Sequence, residues 1–309
     1  MLCGRQSAHP AFRRAGLTFI PTGTIAPVGH PSRTRCRPDL VAVRQNTDTE
    51  STPRPTPMLP ASDVTASDAV RAPTSVRWHD LESVVAFYSK GKSVAANIEQ
   101  ALAYTGYLLA ARPDRVAMLG LYLGPTGFVV LLSNPSGAFR TALIPWDQQS
   151  INPLLAKVVN FIEHPPKSMV DATTVWKDNN TFDITIGTRV YRGCKLAWSP
   201  ARGRWTSVFK TGGEVIKSQY RNCTSEPEAV VLEHIHTPYA FPGVVRVGEY
   251  GWVKRADGSF VEYTWKGQRR RKVVMALKDE GIPFMEIQTP YEALATIWDL
   301  LEGEPSLPH

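Results

Sequence analysis

A lysine and a glutamate, Lys217 and Glu228, stand 11 residues apart where a strand pattern gives way to a helix pattern. Lys217 ends an apolar strand, and Glu228 lies near the start of a helix that we predict from Glu226 to Ile235. The ammonium of such a lysine can meet the anionic oxygens of a phosphate group, and a carboxylate on the helix can fix the ammonium in place. The same spacing is compatible with a lysine that is solvated at the end of a strand.

Glu228 shares one stripe of the predicted helix with Leu232 and Ile235, at positions i, i+4 and i+7. Because apolar residues at this spacing pack inward, the stripe directs Glu228 toward the sheet. Glu226 and Glu233 lie off the stripe, and we expect them to meet the helix dipole and the solvent, respectively.

The segment 203–208 precedes this pair in the chain and contains one glycine, Gly203. A loop that lets backbone N–H groups approach phosphates needs small residues where the chain comes closest. Gly203 and Val208 fit such a loop, whereas Trp205 fills a place where glycine would be expected. The segment is therefore either a degraded phosphate-binding loop or an ordinary hairpin turn.

Strand patterns surround these residues from about residue 180 onward. Four strands precede the helix and three follow it, and a last amphipathic helix is predicted at 290–303. The predicted strands are Phe182–Ile186, Thr188–Trp198, Trp205–Lys210, Gly213–Lys217, Val244–Val253, Ser259–Trp265 and Lys272–Met275. We expect the residues 180–309 to form one domain.

Residues 76–166 have the pattern of a separate, small α/β module. A helix capped by Ser93 runs through Ala111, and Arg112-Pro113 stops it. An antiparallel meander of three strands and a second helix, Asn152–Glu163, follow. One face of the first helix is predicted to carry Val94, Ile98, Leu102, Thr105 and Leu109.

Residues 1–75 differ in composition from the rest, with ten of the 25 prolines and nine arginines but no lysine. Such a segment buries too little apolar surface to offset its ordering entropy. We predict a basic, disordered arm. A mitochondrial targeting segment is the alternative interpretation, since the first acidic residue is Asp39.

The composition of the 309 residues, with a net charge of +7 and a pI near 9.3, favours polyanionic partners such as nucleotides. Four cysteines stand far apart, without zinc-ligand spacing, which favours free thiols in a reducing compartment. No run of about 18 apolar residues occurs, so we expect no membrane span. These features predict an intracellular protein, cytoplasmic or nuclear.

Several short motifs in order resemble the fungal-type protein kinase domain family. The resemblance covers about residues 76–303 and is strongest from about 203 onward. Its motifs are Gly203-x-x-Thr206-x-Val208-Phe209, Val215–Tyr220, Glu228-x-x-x-Leu232-x-x-Ile235, Phe241–Val244, Arg269–Met275, Gly281–Phe284 and Glu292–Gly303, with Trp78, Asp80, Tyr104, Arg112, Arg115 and Gly120 upstream.

This resemblance implies an α+β fold with a protein-kinase-like N-lobe, an antiparallel sheet plus one helix, and the start of a C-lobe. It implies ATP as the ligand: Lys217 would pair with the α and β phosphates, and Glu228 would orient it. Gly203, Thr206 and Val208 would belong to the loop that covers the phosphates. The implied activity is phosphoryl transfer from ATP to serine or threonine of a protein substrate.

The sequence departs from the family pattern because it contains neither an H-R-D-x-x-x-x-N catalytic loop nor a D-F-G motif. Those motifs supply the catalytic aspartate and the ligands for Mg²⁺, so magnesium is expected only if the missing C-lobe were present. We therefore expect a truncated or degenerate kinase domain that is inactive as this chain. A non-catalytic interaction module is the alternative function.

Two further patterns are compatible with nucleic-acid chemistry, although nucleic acid is not the favoured partner. Asp80 and Lys90 lie where a D-(x)n-E-x-K nuclease would carry its acidic residue and its lysine, but Phe87 and Tyr88 stand where its glutamate is expected. The basic run 266–272 could bind nucleic acid, and we favour a solvated turn between two strands.

Overall fold

The computed structural model describes residues 17–22, 27–30, 37–44, 76–146, 151–177, 180–200, 205–237, 239, 244–255, 257–280, 289–290 and 294. Within them the chain forms two β-sheets, three α-helices and two short 3-10 turns, Trp78–Asp80 and Lys167–Met169. The architecture is α+β, as the sequence predicted.

The first sheet has seven strands, in the order β1 to β6 with β7 paired to β5. Its strands are β1 (Leu17–Pro21), β2 (Leu40–Arg44), β3 (Leu81–Phe87), β4 (Met118–Leu123), β5 (Gly127–Asn134), β6 (Gly137–Arg140) and β7 (Ile144–Pro145). Only β3 and β4 are parallel, and helix α1 (Val94–Ala111) connects them. Helix α2 (Ile151–Glu163) follows the sheet. The predicted antiparallel meander corresponds to β4, β5 and β6.

Helix α1 begins as predicted, because the Ser93 hydroxyl accepts a hydrogen bond from the backbone N–H of Ala96 at 3.1 Å. Its buried face carries Ile98, Thr105 and Leu109, but the prediction for Val94 is wrong, since that residue in the first turn is 46% exposed. The helix packs closely on β4. A Cβ at Gly120 would lie 2.6 Å from the Thr105 hydroxyl, so only glycine fits there.

The strands β1 and β2 correct the prediction that residues 1–75 are a disordered arm. Val41 and Ala42 are fully buried, and β2 pairs on both sides, with β1 and with β3. A composition averaged over 75 residues hides two strands of five residues each, which gain their stability from the rest of the sheet. The remainder of that segment, apart from 22, 27–30 and 37–39, lies outside the described residues.

The second sheet has eight antiparallel strands, in the order β13-β15-β12-β11-β10-β9-β8 with β14 paired to β15. Helix α3 (Glu228–Ile235) lies between β12 and β13 in the chain. The strands are β8 (Thr174–Trp176), β9 (Thr181–Ile186), β10 (Arg189–Trp198), β11 (Ser207–Thr211), β12 (Glu214–Asn222), β13 (Val247–Trp252), β14 (Glu262–Trp265) and β15 (Gln268–Leu277).

All seven strands that the sequence predicted in this part of the chain are present, and the helix follows the predicted fourth strand. The sheet begins at 174, before the predicted boundary at 180, because β8 pairs with β9. Strands β12 and β15 are longer than predicted, since they pair with each other from Val215↔Leu277 to Asn222↔Arg270. The predicted last helix, 290–303, lies outside the described residues except at 290 and 294.

Buried charged groups join the two sheets in a cluster that we call the junction cluster: Arg112, Asp114, Asp171 and Lys272. The Lys272 Nζ donates to Asp171 Oδ2 at 2.7 Å and to the Pro113 carbonyl at 3.0 Å. Arg112 donates to both oxygens of Asp114, at 2.9 and 2.8 Å, and its guanidinium lies over the ring of Trp176. The prediction of a solvated turn is therefore wrong for Lys272, whose side chain is 5% exposed.

Candidate functional site

Strand β12 positions the candidate site because its residues alternate between two faces of the second sheet. Ile216 and Tyr220 point into the hydrophobic core. Lys217, Gln219 and Arg221 lie on the opposite face, which helix α3 covers in part.

Lys217 and Glu228 form a hydrogen-bonded ion pair between β12 and the first turn of α3. The Lys217 Nζ donates to Glu228 Oε1 at 2.7 Å and to Oε2 at 2.9 Å. The two side chains are 26% and 29% exposed, so a solute can still reach them. The contact that the sequence predicted is therefore confirmed, whereas a role of this pair in binding nucleotide stays a prediction.

Two further side chains of β12 bind the same carboxylate, and the sequence analysis did not identify either as a site residue. Gln219 Nε2 donates to Glu228 Oε2 at 2.8 Å. Arg221 forms an ion pair with Glu228 Oε2 at 3.6 Å, and its guanidinium also donates to the backbone carbonyl of Glu226 at 3.0 Å. The signal for both was their spacing, since residues two and four positions after Lys217 on a strand share its face.

The surroundings of Glu228 lower the pKa of its carboxyl group. Partial burial alone would raise that pKa, but hydrogen bonds from Lys217 and Gln219 and the positive charges of Lys217 and Arg221 outweigh it. The carboxylate is therefore charged at neutral pH and holds the Lys217 ammonium.

Strand β11 lies beside Lys217 in the sheet. Val208 is the direct partner of Lys217 across the β11–β12 ladder, and Thr206 is half-buried just before β11. Gly203 lies outside the described residues. Trp205 has φ +50°, in the left-handed region that favours glycine. Its side chain packs against the hydrophobic cores of both sheets.

Helix α3 is short and only partly packed on the sheet. Ala229 is fully buried, and the His236 ring after the last turn lies 3.2 Å from the Val245 carbonyl. Leu232 is half-buried, but Ile235 is 37% exposed, so the prediction that the whole stripe packs inward is wrong at its end. The polar contacts of Glu228, at the start of the helix, therefore contribute much of the attachment of α3 to β12.

The structure supplies no set of acids for the nuclease hypothesis within the described residues. Asp80 lies in a 3-10 turn beside His79, and Lys90 is exposed in the loop before α1. The carboxylate of Asp39 accepts a hydrogen bond from the backbone N–H of Phe87 at 2.7 Å, at the end of β3. In the part of the chain that is described, no three His, Cys, Asp or Glu side chains form a group that could hold a metal ion.

The basic run 266–272 is divided between the two faces of the sheet. Lys266 and Gly267 have positive φ and form the predicted turn between β14 and β15. Arg271 lies over the ring of Phe260 at 4.0 Å and pairs with Glu262 at 3.2 Å, whereas Arg269 is largely exposed. Two of the arginines therefore share one acidic partner, Glu262, on the surface.

Comparisons of the chain with protein-family models, with curated proteins and with solved structures found no match. Among the helices of the described residues, none is long and apolar enough to cross a membrane.

Proposed function

We propose that the second sheet and helix α3 form a nucleotide-binding lobe of protein-kinase type, with ATP as its ligand. Lys217 binds the α and β phosphates, and Glu228 orients the lysine. Val208 and the residues around Thr206 lie at the end of the loop that covers the phosphates. Phosphoryl transfer to serine or threonine of a protein is the activity implied for this lobe when a catalytic loop completes it.

The observation that carries this proposal is the ion pair between a lysine on an inner strand and a glutamate on the helix that follows that strand. In protein kinases a lysine on a strand and a glutamate on the next helix must pair for the phosphates to be positioned. The order of elements here is the same: a loop, two antiparallel strands of which the second carries the lysine, and then the helix.

The state of Lys217 also suits an anionic ligand. A lysine ammonium has three N–H donors, and Glu228 takes two of them. The third N–H has no acceptor among the described residues, and it can reach a phosphate oxygen because the side chain is partly exposed. Binding of phosphate then adds a charge-assisted hydrogen bond without breaking the ion pair.

The test compares wild type with Lys217→Met by titration of a fluorescent ATP analogue. We expect Lys217→Met to weaken binding at least about tenfold, since a hydrogen bond between charged groups is lost. Lys177→Met is the matched control, because Lys177 forms a surface ion pair with Asp183 at 3.3 Å near the β8–β9 edge of the same sheet, away from β12. Equal affinity of wild type and Lys217→Met would overturn the phosphate role.

The alternative function, a non-catalytic interaction module, makes a different prediction for the same proteins. In that case ATP raises the unfolding temperature of neither wild type nor Lys217→Met. A nucleotide-dependent rise in wild type that Lys217→Met abolishes and Lys177→Met keeps would exclude it.

A further inference from the structure

We propose that Gln219 and Arg221 are positioning residues of this site: they hold the Glu228 carboxylate so that Lys217 can turn to a phosphate while helix α3 stays attached to β12. The nucleotide part of this inference rests on the proposed function. The hold on Glu228 does not, and it can be measured without any nucleotide.

The two oxygens of Glu228 have different sets of donors. Among the described residues, Oε1 accepts from Lys217 alone, at 2.7 Å, whereas Oε2 accepts from Lys217 at 2.9 Å and from Gln219 at 2.8 Å, with the Arg221 guanidinium at 3.6 Å. If Lys217 rotates toward a phosphate, it can release Oε2 and keep Oε1. Oε2 then still accepts from Gln219 and stays paired with the charge of Arg221, so the rotation leaves no carboxylate oxygen without a partner.

Arg221 also holds the backbone at the start of the helix. Pro227, the residue before the first turn of α3, makes no side-chain cap, and the guanidinium of Arg221 donates to the carbonyl of Glu226 at 3.0 Å. One side chain therefore joins β12 to both the carboxylate and the backbone at the N-terminal end of α3. Because the C-terminal half of this short helix is exposed, we infer that these two contacts of Arg221 hold the helix on the sheet.

The neighbouring strand explains why Arg221 is available for Glu228. Arg271 is its direct partner on β15, and two like charges side by side repel. Arg271 is occupied elsewhere, because it pairs with Glu262 and stacks over Phe260. Arg221 is thus the arginine that turns toward α3.

The experiment uses the full chain and the variants Gln219→Leu, Arg221→Met and the double variant, with Arg221→Lys as the conservative rescue. The first readout is the pKa of Glu228, from the carboxyl ¹³C shift of glutamate-labelled protein, assigned with Glu228→Gln. The second is the dissociation constant of a fluorescent ATP analogue. Arg189→Met is the matched control, since Arg189 forms an exposed pair with Glu214 at 3.0 Å.

We expect the pKa of Glu228 to rise in each single variant and further in the double variant, to recover in Arg221→Lys, and to stay unchanged in Arg189→Met. Nucleotide affinity should fall about three- to tenfold in the single variants. If Arg221→Met fails to fold, Gln219→Leu and Arg221→Lys decide the matter. An unchanged pKa of Glu228 in Gln219→Leu and in the double variant would overturn the inference, as would nucleotide affinity equal to that of wild type. If wild type binds no nucleotide while the pKa still rises, the proposed function is overturned and the hold on Glu228 is supported.

Discussion

The junction cluster and the Lys217–Glu228 site are both built from charged side chains, but they differ in access to solvent. Lys272 and Asp171 are 5% and 0% exposed, and their ion pair joins positions 101 residues apart in the chain. Lys217 and Glu228 are 26% and 29% exposed, and their side-chain partners among the described residues belong to β12 and α3. Buried pairs of this kind fix how segments meet, whereas a partly exposed pair with a spare donor can exchange contacts with a ligand.

This comparison predicts that the two lysines affect stability very differently. Removing one partner of a buried ion pair leaves an uncompensated charge, so Lys272→Met should lower the free energy of unfolding by about 3–5 kcal/mol. Urea denaturation followed by circular dichroism measures this change in the free energy of unfolding.

Lys177→Met again serves as the control. Because its ion pair is exposed, we expect its free energy of unfolding to change by at most about 1 kcal/mol. A loss below about 1 kcal/mol in Lys272→Met would show that Asp171 is satisfied by its other partners, the Thr173 and Thr174 hydroxyls and the Thr173 N–H. The junction cluster would then contribute no more to stability than an exposed ion pair does, and its contrast with the Lys217–Glu228 site would not hold.

Lys217→Met should have the second largest effect on stability, about 0.5–1 kcal/mol, because the pair is partly exposed and Gln219 and Arg221 remain as partners of Glu228. The same denaturation experiment measures it. A loss as large as that of Lys272→Met would identify the pair as a structural element, and the comparison would no longer separate a structural cluster from a ligand-accessible one.

The smallest expected effect is the dependence of stability on pH through Glu228. Its pKa is lowered in the folded protein, so the pair stabilises the fold fully above pH 4.5, the ordinary value, and this contribution is lost as the pH falls toward the lowered pKa. The difference in free energy of unfolding between wild type and Glu228→Gln should therefore shrink below pH 4.5. A difference that stays constant down to pH 3 would contradict the lowered pKa.

The parts of the fold that could be predicted from sequence are those with local patterns. The alternation in β9 to β12, the Ser93 cap and the glycine turns each depend on a few neighbouring residues. The Lys217–Glu228 contact was predictable for the same reason, since a strand, a turn and a helix within 11 residues leave few arrangements.

The parts that could not be predicted depend on partners far away in the chain. Lys272 stands in a basic run that suggests a solvated turn, and its partners Pro113 and Asp171 are 159 and 101 residues away. Strand β1 has apolar residues but is only five residues long, and it lies within a segment rich in proline, so its pairing with β2 was not apparent. Gln219 and Arg221 were missed because the strand was predicted to end at Lys217, whereas β12 continues to Asn222 and places both residues on the face of Lys217.

The junction cluster has a consequence for how the protein unfolds. Its groups come from the end of α1, from the segment before β8 and from β15. In a protein cut between the two sheets, the buried Lys272 Nζ would lose the Pro113 carbonyl as an acceptor, and Trp205 would lose one of the two cores on which it packs. We therefore expect the two sheets to melt in a single cooperative transition rather than as independent folding units.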